Sequence, residues 1–298
     1  MGAFGASDVG GIVGKTETGS SEDWPYRVVS SGSFSSNVYG ASNIGGIVGN
    51  STRGYIANCY SNSDVTATKE NAGGIVGYIK GAVSNQGETP YVSKVYYAGR
   101  VTAPSYAAGV VGGMGQTMFS LNDGWLMIGD VVVQNAAGKG DFFINKMAND
   151  ISSIRKAMVY KGSSITFGET PNTAEEYFSS NPNSEVTLAD TATLQNKNTY
   201  TGYLGWNTET ASSSSRFYNY SGLRDGYMPY LTHAPENDYN SSSAVTIMNY
   251  QKGYKPDDKD PTKPAVDENG KYIYKKIDEK GGIPIPGAGK TIKKRTVL

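Results

Sequence analysis

Apolar residues along this chain come in short bursts, and the bursts repeat. The string GGIVG stands at Gly10–Gly14, Gly45–Gly49 and Gly73–Gly77, with AGVVG at Ala108–Gly112 and a weaker copy, GDFFI, at Gly140–Ile144. The second glycine recurs at Gly11, Gly46, Gly74 and Gly109, at spacings of 35, 28 and 35 residues. Between these marks lies a second motif: VVSSGSFSS at 28–36, NCYSNSDVTA at 58–67, VYYAGRVTA at 95–103, IGDVVV at 128–133 and MVYKGSSIT at 158–166. Two motifs alternating at a nearly fixed period mark a repeat architecture. Each burst is β-branched or aromatic and is bounded by Gly, Ser or Asn, which predicts strands of roughly 4–6 residues.

A unit of about 30 residues cannot bury its own apolar face, so neighbouring units must stack. The pattern predicts an all-β, parallel β-helix (β-solenoid) of about five coils. Its crossovers are expected to be right-handed. Ile12, Ile47, Ile75 and Val110 would form one internal aliphatic ladder. Two roles suit the marker glycines Gly10, Gly11, Gly14, Gly45, Gly46, Gly49, Gly73, Gly74, Gly77, Gly109 and Gly112. A corner glycine reaches positive φ without strain, and a glycine in a rung lets backbones approach closely. A helical solenoid is excluded, because glycine runs and β-branched residues both disfavour helix. Asn149–Ala157 fits a short helix or a degraded coil.

The pattern changes at residue 172. Residues 1–171 read as the solenoid, 172–233 as an aromatic cap and 234–298 as a charged, Pro-rich linker with a strand or disordered tail. TAEEYFSS reads as a brief helical turn. Leu204, Trp206, Phe217, Leu223, Met228 and Leu231 are expected to cover the last coil, since the open end of a solenoid must be capped.

Composition narrows the function. The 298 residues carry 27 basic and 27 acidic side chains, so there is no basic surplus for phosphate neutralisation and nucleic acid is not an expected partner. No apolar run is long enough to span a membrane as a helix. Cys59 is the one cysteine, which excludes an intrachain disulfide. The first residues lack a basic and apolar leader and already look like the middle of a repeat. The chain therefore reads as a section of a longer polypeptide, with Met1 as an added start.

GGIVG, followed by NCYS-x-x-D-V-T-A and closed by LGWNT…YNYSGLRDGYMPYL, resembles the GLUG-repeat region of bacterial surface proteins over residues 7–233. The resemblance implies a cell-wall or cell-surface setting on a Gram-positive bacterium. It also implies kinship with immunoglobulin-A-specific zinc metallopeptidases and related surface zinc peptidases. Cysteine is frequent in the NCY position of that repeat. Cys59 keeps it, whereas the copy at Val95–Tyr97 does not.

No catalytic set is legible. Zinc peptidase chemistry needs His-Glu-x-x-His on a helix, and the chain has one histidine, His233, in LTHAPEN. A Ser-His-Asp triad or a Cys-His pair could only use that same residue, and no G-x-S-x-G elbow is present. PGAGKT, ending at Thr291, and GGIVGKT, ending at Thr16, mimic a phosphate loop but have Pro284 and Val9 where its first glycine belongs. The pentapeptide lacks the in-register aspartate of calcium-binding β-rolls. No cofactor or metal is expected. Tyr60, Tyr97 and Tyr160 fall in matching copies of the second motif and would form a packing ladder or, alternatively, a sugar-stacking surface. Trp24 and Tyr26, in an inserted loop, are candidate partner contacts.

The sequence thus reads as a non-catalytic extracellular scaffold or recognition region. Its expected partner is a host protein, such as immunoglobulin, or a surface glycan. The alternatives are an adhesin-type carbohydrate-binding or carbohydrate-active β-helix, and a purely structural stalk.

Overall fold

The computed structural model describes residues 3–16, 26–29, 32–33, 37–52, 54–80, 91–115, 122–145, 154–206, 228–229, 283 and 285–288. Within them the repeat folds as a parallel β-solenoid. One sheet stacks Ala3–Gly10, Asn37–Gly45, Asp64–Gly73, Arg100–Ala103, Asp130–Val133 and Ser164–Phe167 in that order. A second stacks Val13–Thr16, Val48–Ser51, Val76–Ile79 and Val111–Met114. Tyr26–Val29, Gly54–Ala57 and Tyr91–Ser93 form the third. The fourth runs from Gly32–Ser33 through Tyr60–Ser61, Tyr96–Tyr97, Asn122–Met127 and Ile154–Tyr160 to Val186–Ala189. One coil visits the sheets in turn. Four coils begin at residues 3, 37, 64 and 100, and a fifth thins to Asp130–Val133, a bridge from Ile144 to Val111 and Ile154–Tyr160.

Like residues stack on like, which turns a weak local pattern into a continuous core. Val38, Val65, Val101, Val131 and Ile165 form one inward column of the first sheet, all essentially buried. The aliphatic ladder expected from the pentapeptides is present. The Ile12 N–H donates to Ile47 O, Ile47 to Ile75, Ile75 to Val110 and Val110 to Phe143. The fifth copy is present, but one residue later than GDFFI reads: Asp141 pairs with Ala108 and Ile144 bridges Val111, so Phe142 stands at the second glycine and Phe143 at the aliphatic position. Ile47, Ile75 and Val110 are buried, while Ile12, on the first coil, is 43% exposed.

The marker glycines answer to one of their two expected roles. Among the described residues none of them has positive φ. Their need is close approach. A β-carbon on Gly46, Gly74 or Gly109 would sit well inside 3.0 Å of the carbonyl of Gly74, Gly109 or Phe142 in the following coil. It would also strike, in order, Ser61, the Tyr97 ring and Met127, which stack as one inward column of the fourth sheet.

Positive φ belongs instead to other corners. The long strands of the first sheet bend at Asp8, Asn43 and Asn71, with φ of 56, 58 and 59°. Asn and Asp tolerate this conformation better than other side chains. The Asn43 amide donates to Asp8 Oδ1 at 2.8 Å and the Asn71 amide to Asn43 Oδ1 at 2.9 Å, a polar ladder under the bend. A second corner, between the third and fourth sheets, holds Asn58, Lys94, Gly124 and Lys156 in the same conformation.

The coil ends by reversing polarity. Thr170–Thr173 pairs antiparallel with Ser164–Phe167 and leads into helix α1 (Ala174–Ser180), opened by a Thr173/Glu176 capping box. Phe178 stacks on Phe142 at 5.7 Å and Tyr177 meets the same ring edge-on at 5.4 Å, so this helix closes the end of the core. Helix α2 (Thr191–Leu194) follows the last strand of the fourth sheet. Ladder pairing thus continues past residue 172, through Val186–Ala189 on Ile154–Tyr160.

Gly74→Ala is expected to destabilise the chain by about 1–3 kcal/mol, the cost of overpacking a filled site. Urea unfolding followed by circular dichroism checks this, with an unchanged midpoint as the contrary result.

Candidate functional site

The densest aromatic feature lies on the outer face of the fourth sheet. Tyr60 and Tyr96 share a register and stack with centroids 4.9 Å apart and planes 5° from parallel. Tyr96 stacks in turn on Trp206 at 5.7 Å, and Trp206 packs on Tyr200 at 5.2 Å. Three of the cluster's polar edges are used internally: Trp206 Nε1 donates to Gly124 O, Tyr96 Oη to Pro229 O and Tyr200 Oη to Leu194 O. Leu126, Met158, Ala189, Leu194, Leu204 and Met228 fill the space around them. Two residues of the C-terminal stretch join this cluster, Ile283 and Ile285, and Met228 N donates to Ile283 O. Leu204, Trp206 and Met228 thus cover the side of the solenoid, while α1 covers its end. Phe217, Leu223 and Leu231 lie outside the described residues.

The tyrosines of the second motif are not equivalent. Tyr96, and not Tyr97, partners Tyr60. Tyr97 points inward, is fully buried and donates to Ser63 O at 2.8 Å, so it has no surface to offer a partner. Tyr160 is half-buried beside Ala189. The off-by-one assignment arose because the sequence places two tyrosines side by side, and pleating sends neighbours to opposite faces. Tyr26 opens the first strand of the third sheet, its backbone paired with Gly54. Trp24 and His233 lie outside the described residues.

Cys59 is buried, its thiol directed at Ala57 O and Val28 O. Gly14–Thr16, the end of one phosphate-loop mimic, lies in a strand, which lacks the helix N-terminus that anion cradles use. Among the described residues no three His, Cys, Asp or Glu side chains converge as metal ligands. The Asp64–Arg100–Asp130 column is solvated, with Arg100 and Asp130 3.9 Å apart, a geometry of little energetic weight. The Asp8–Asn43–Asn71 corner went unread in the sequence. Its signal is an Asp or Asn two residues before each glycine pair, in DVGG, NIGG and NAGG.

A shallow cleft of about 360 Å³ lies beside α1, lined by Lys139, Phe167, Asn172, Glu176, Tyr177 and Asn181. The Glu176 carboxylate accepts from Thr173 N and Oγ1, which hold it below its ordinary range. The Tyr177 hydroxyl lies 3.1 Å from Asp141 Oδ2. Burial, then that carboxylate, pushes its ionisation far above the usual tyrosine value.

The fold has a solved counterpart. A crystal structure described as a "putative immunoglobulin A1 protease" from Bacteroides ovatus superposes with a TM-score of 0.54 at 17% identity, covering 70% of this chain. The match spans 63% of that protein's chain. At this identity the likeness concerns architecture alone. No family model matches the chain, and no curated protein matches it either.

Tyr97 and Tyr200 are also raised by burial. A tyrosine whose folded value is raised favours folding by staying neutral. Its contribution is complete below about pH 10, where the unfolded tyrosine is neutral too, and is lost as pH rises past that value. Unfolding midpoints are therefore expected to hold steady with respect to these groups up to about pH 10 and to fall above it. Ultraviolet titration should show a tyrosine fraction that ionises only as the fold is lost. Full tyrosine ionisation with the ellipticity of the fold intact would contradict this.

Proposed function

We propose that this chain is a non-catalytic scaffold and recognition region of a protein displayed outside the cell, and that its parent is a surface peptidase acting on host immunoglobulin. The observation that carries the reading is the solenoid itself. Four stacked coils make a stiff body, and connections between its rungs can vary without disturbing the core. The parentage draws on two likenesses: the GLUG-type repeat strings, and the architecture shared with the structure described as a "putative immunoglobulin A1 protease". Peptidase chemistry, in this reading, resides in other parts of the parent, and the fragment supplies reach and contact.

A second reading, a glycan-binding β-helix, draws on the cleft beside α1. It combines aromatic walls with amides and a carboxylate, the chemistry that sugar hydroxyls and ring faces meet.

The test uses the purified chain at high concentration with immunoglobulin A, with and without a chelator, alongside binding to immobilised immunoglobulin and to a glycan array. The expected outcome is intact immunoglobulin and saturable protein binding. Chelator-sensitive cleavage would sink the non-catalytic claim. Glycan binding that disappears in Phe167→Ala and Asn172→Ala would move the assignment to the second reading. Binding unchanged in Trp24→Ala would remove that residue from the contact.

A further inference from the structure

We infer that the face of the first coil is an acceptor for one more coil of the same two-motif repeat, continuous with Ala3, and that Gly14 leaves room for it. Four observations on different residues converge there.

The first is Gly14 itself. In later coils the last glycine of the pentapeptide has a steric cause. A β-carbon on Gly49 would strike Asp8, Val9 and Gly14 backbone atoms of the preceding coil, one on Gly77 would strike Asn43, Ile44 and Gly49, and one on Gly112 would strike Ala72 and Gly73. At Gly14 a β-carbon would already press on Asp8 O, at 2.8 Å, within its own coil. A preceding coil would add the cross-coil contacts that Gly49, Gly77 and Gly112 make.

The second is hydrogen bonding. Gly45 O accepts from Gly11, Gly73 O from Gly46, Ala108 O from Gly74 and Asp141 O from Gly109. The carbonyls of Ile47, Ile75, Val110 and Phe143 likewise accept from the coil before. The carbonyls of Gly10 and Ile12 head these two columns, with no described coil in front of them.

The third is apolar surface. Among the described residues the large hydrophobics that stand exposed are Phe4 (71%), Ile12 (43%) and Tyr39 (45%). All lie on the first two coils. Ile12 occupies the same column as residues that a preceding coil buries completely, and Phe4 and Tyr39 share a register on the outer face.

The fourth is Asp8, which specifies the occupant. Its Oδ1 already accepts from Asn43 and Asn50, and a carboxylate has nothing to donate. In the described column each later side chain donates to the earlier one, and Asp8 ends that direction; an asparagine in the added coil would instead turn its amide toward the Asp8 carboxylate, whereas a second aspartate would repel. The added coil must also carry glycine opposite Gly11, because the carbonyl of each following coil fills the β-carbon space of the glycine before it.

The experiment replaces Met1 and Gly2 with a second copy of residues 37–64, so that Asp64 of the copy runs directly into Ala3 in the observed register. Thermal unfolding is measured under reducing conditions for the original and extended chains, each with and without Gly14→Ala. The expected result is a midpoint raised by about 5 °C in the extended chain. Gly14→Ala should lower the midpoint far more in the extended chain than in the original. An extended chain that melts at or below the original overturns the proposal. So does an equal effect of Gly14→Ala in both backgrounds. Concentration-dependent dimers of the original chain in sedimentation would assign the face to a second copy and overturn it too.

Discussion

At Gly46, Gly74 and Gly109 the backbone of one coil lies against the next so closely that no β-carbon fits between them, and the other features of the solenoid are arranged around that contact. The approach tightens the corner between the first and second sheets. It also opens a slot into which the inward column of the fourth sheet, Ser61, Tyr97 and Met127, can reach across the core. Tyr97 shows the consequence. Its ring fills the space beside Gly74, and its hydroxyl is satisfied by Ser63 O, at the corner between the fourth and first sheets. A buried hydroxyl without a partner would cost free energy comparable to a lost hydrogen bond. The large side chain and the missing one are thus a single packing solution.

Two other constraints shape the coil. Asp8, Asn43 and Asn71 supply the bend that glycine does not, and their side chains connect successive coils. The outer face of the fourth sheet bears Tyr60, Tyr96, Leu126 and Met158, too apolar a strip to face water. The aromatic segment around Tyr200, Leu204 and Trp206 covers it, and Ile283 and Ile285 return from far along the chain to complete that cover.

Much of this was legible in the sequence because stacking makes the period visible. Four copies of one pentapeptide gave the repeat, the parallel coil and the ladder from Ile12 to Val110. The fifth copy was read one residue early, as GDFFI, because Gly140 resembles the marker glycine; the pairing puts Phe143 where isoleucine or valine stood before. What sequence could not decide was facing. In V-Y-Y a shift of one residue exchanges core for surface, and only the pairing of Tyr96 with Tyr60 resolves it. The glycines were rightly singled out for close approach but not for positive φ, because their neighbours across coils are invisible in one dimension. The aromatic segment was read as an end cap. It lies along the side because the apolar strip it covers is assembled from residues about 30 apart. The described surface offers a shallow cleft beside α1 and the exposed residues of the first two coils.

The solenoid is defined by its register: coils repeat so that Thr66 lies directly beside Thr102 on the outer face of the first sheet. Parallel strands about 4.8 Å apart place such a pair within disulfide reach. The most direct test is oxidation of the Thr66→Cys/Thr102→Cys double variant, followed by thiol counting after unfolding in denaturant without reductant. The account predicts one free thiol per chain, that of Cys59. Three free thiols per chain would contradict it.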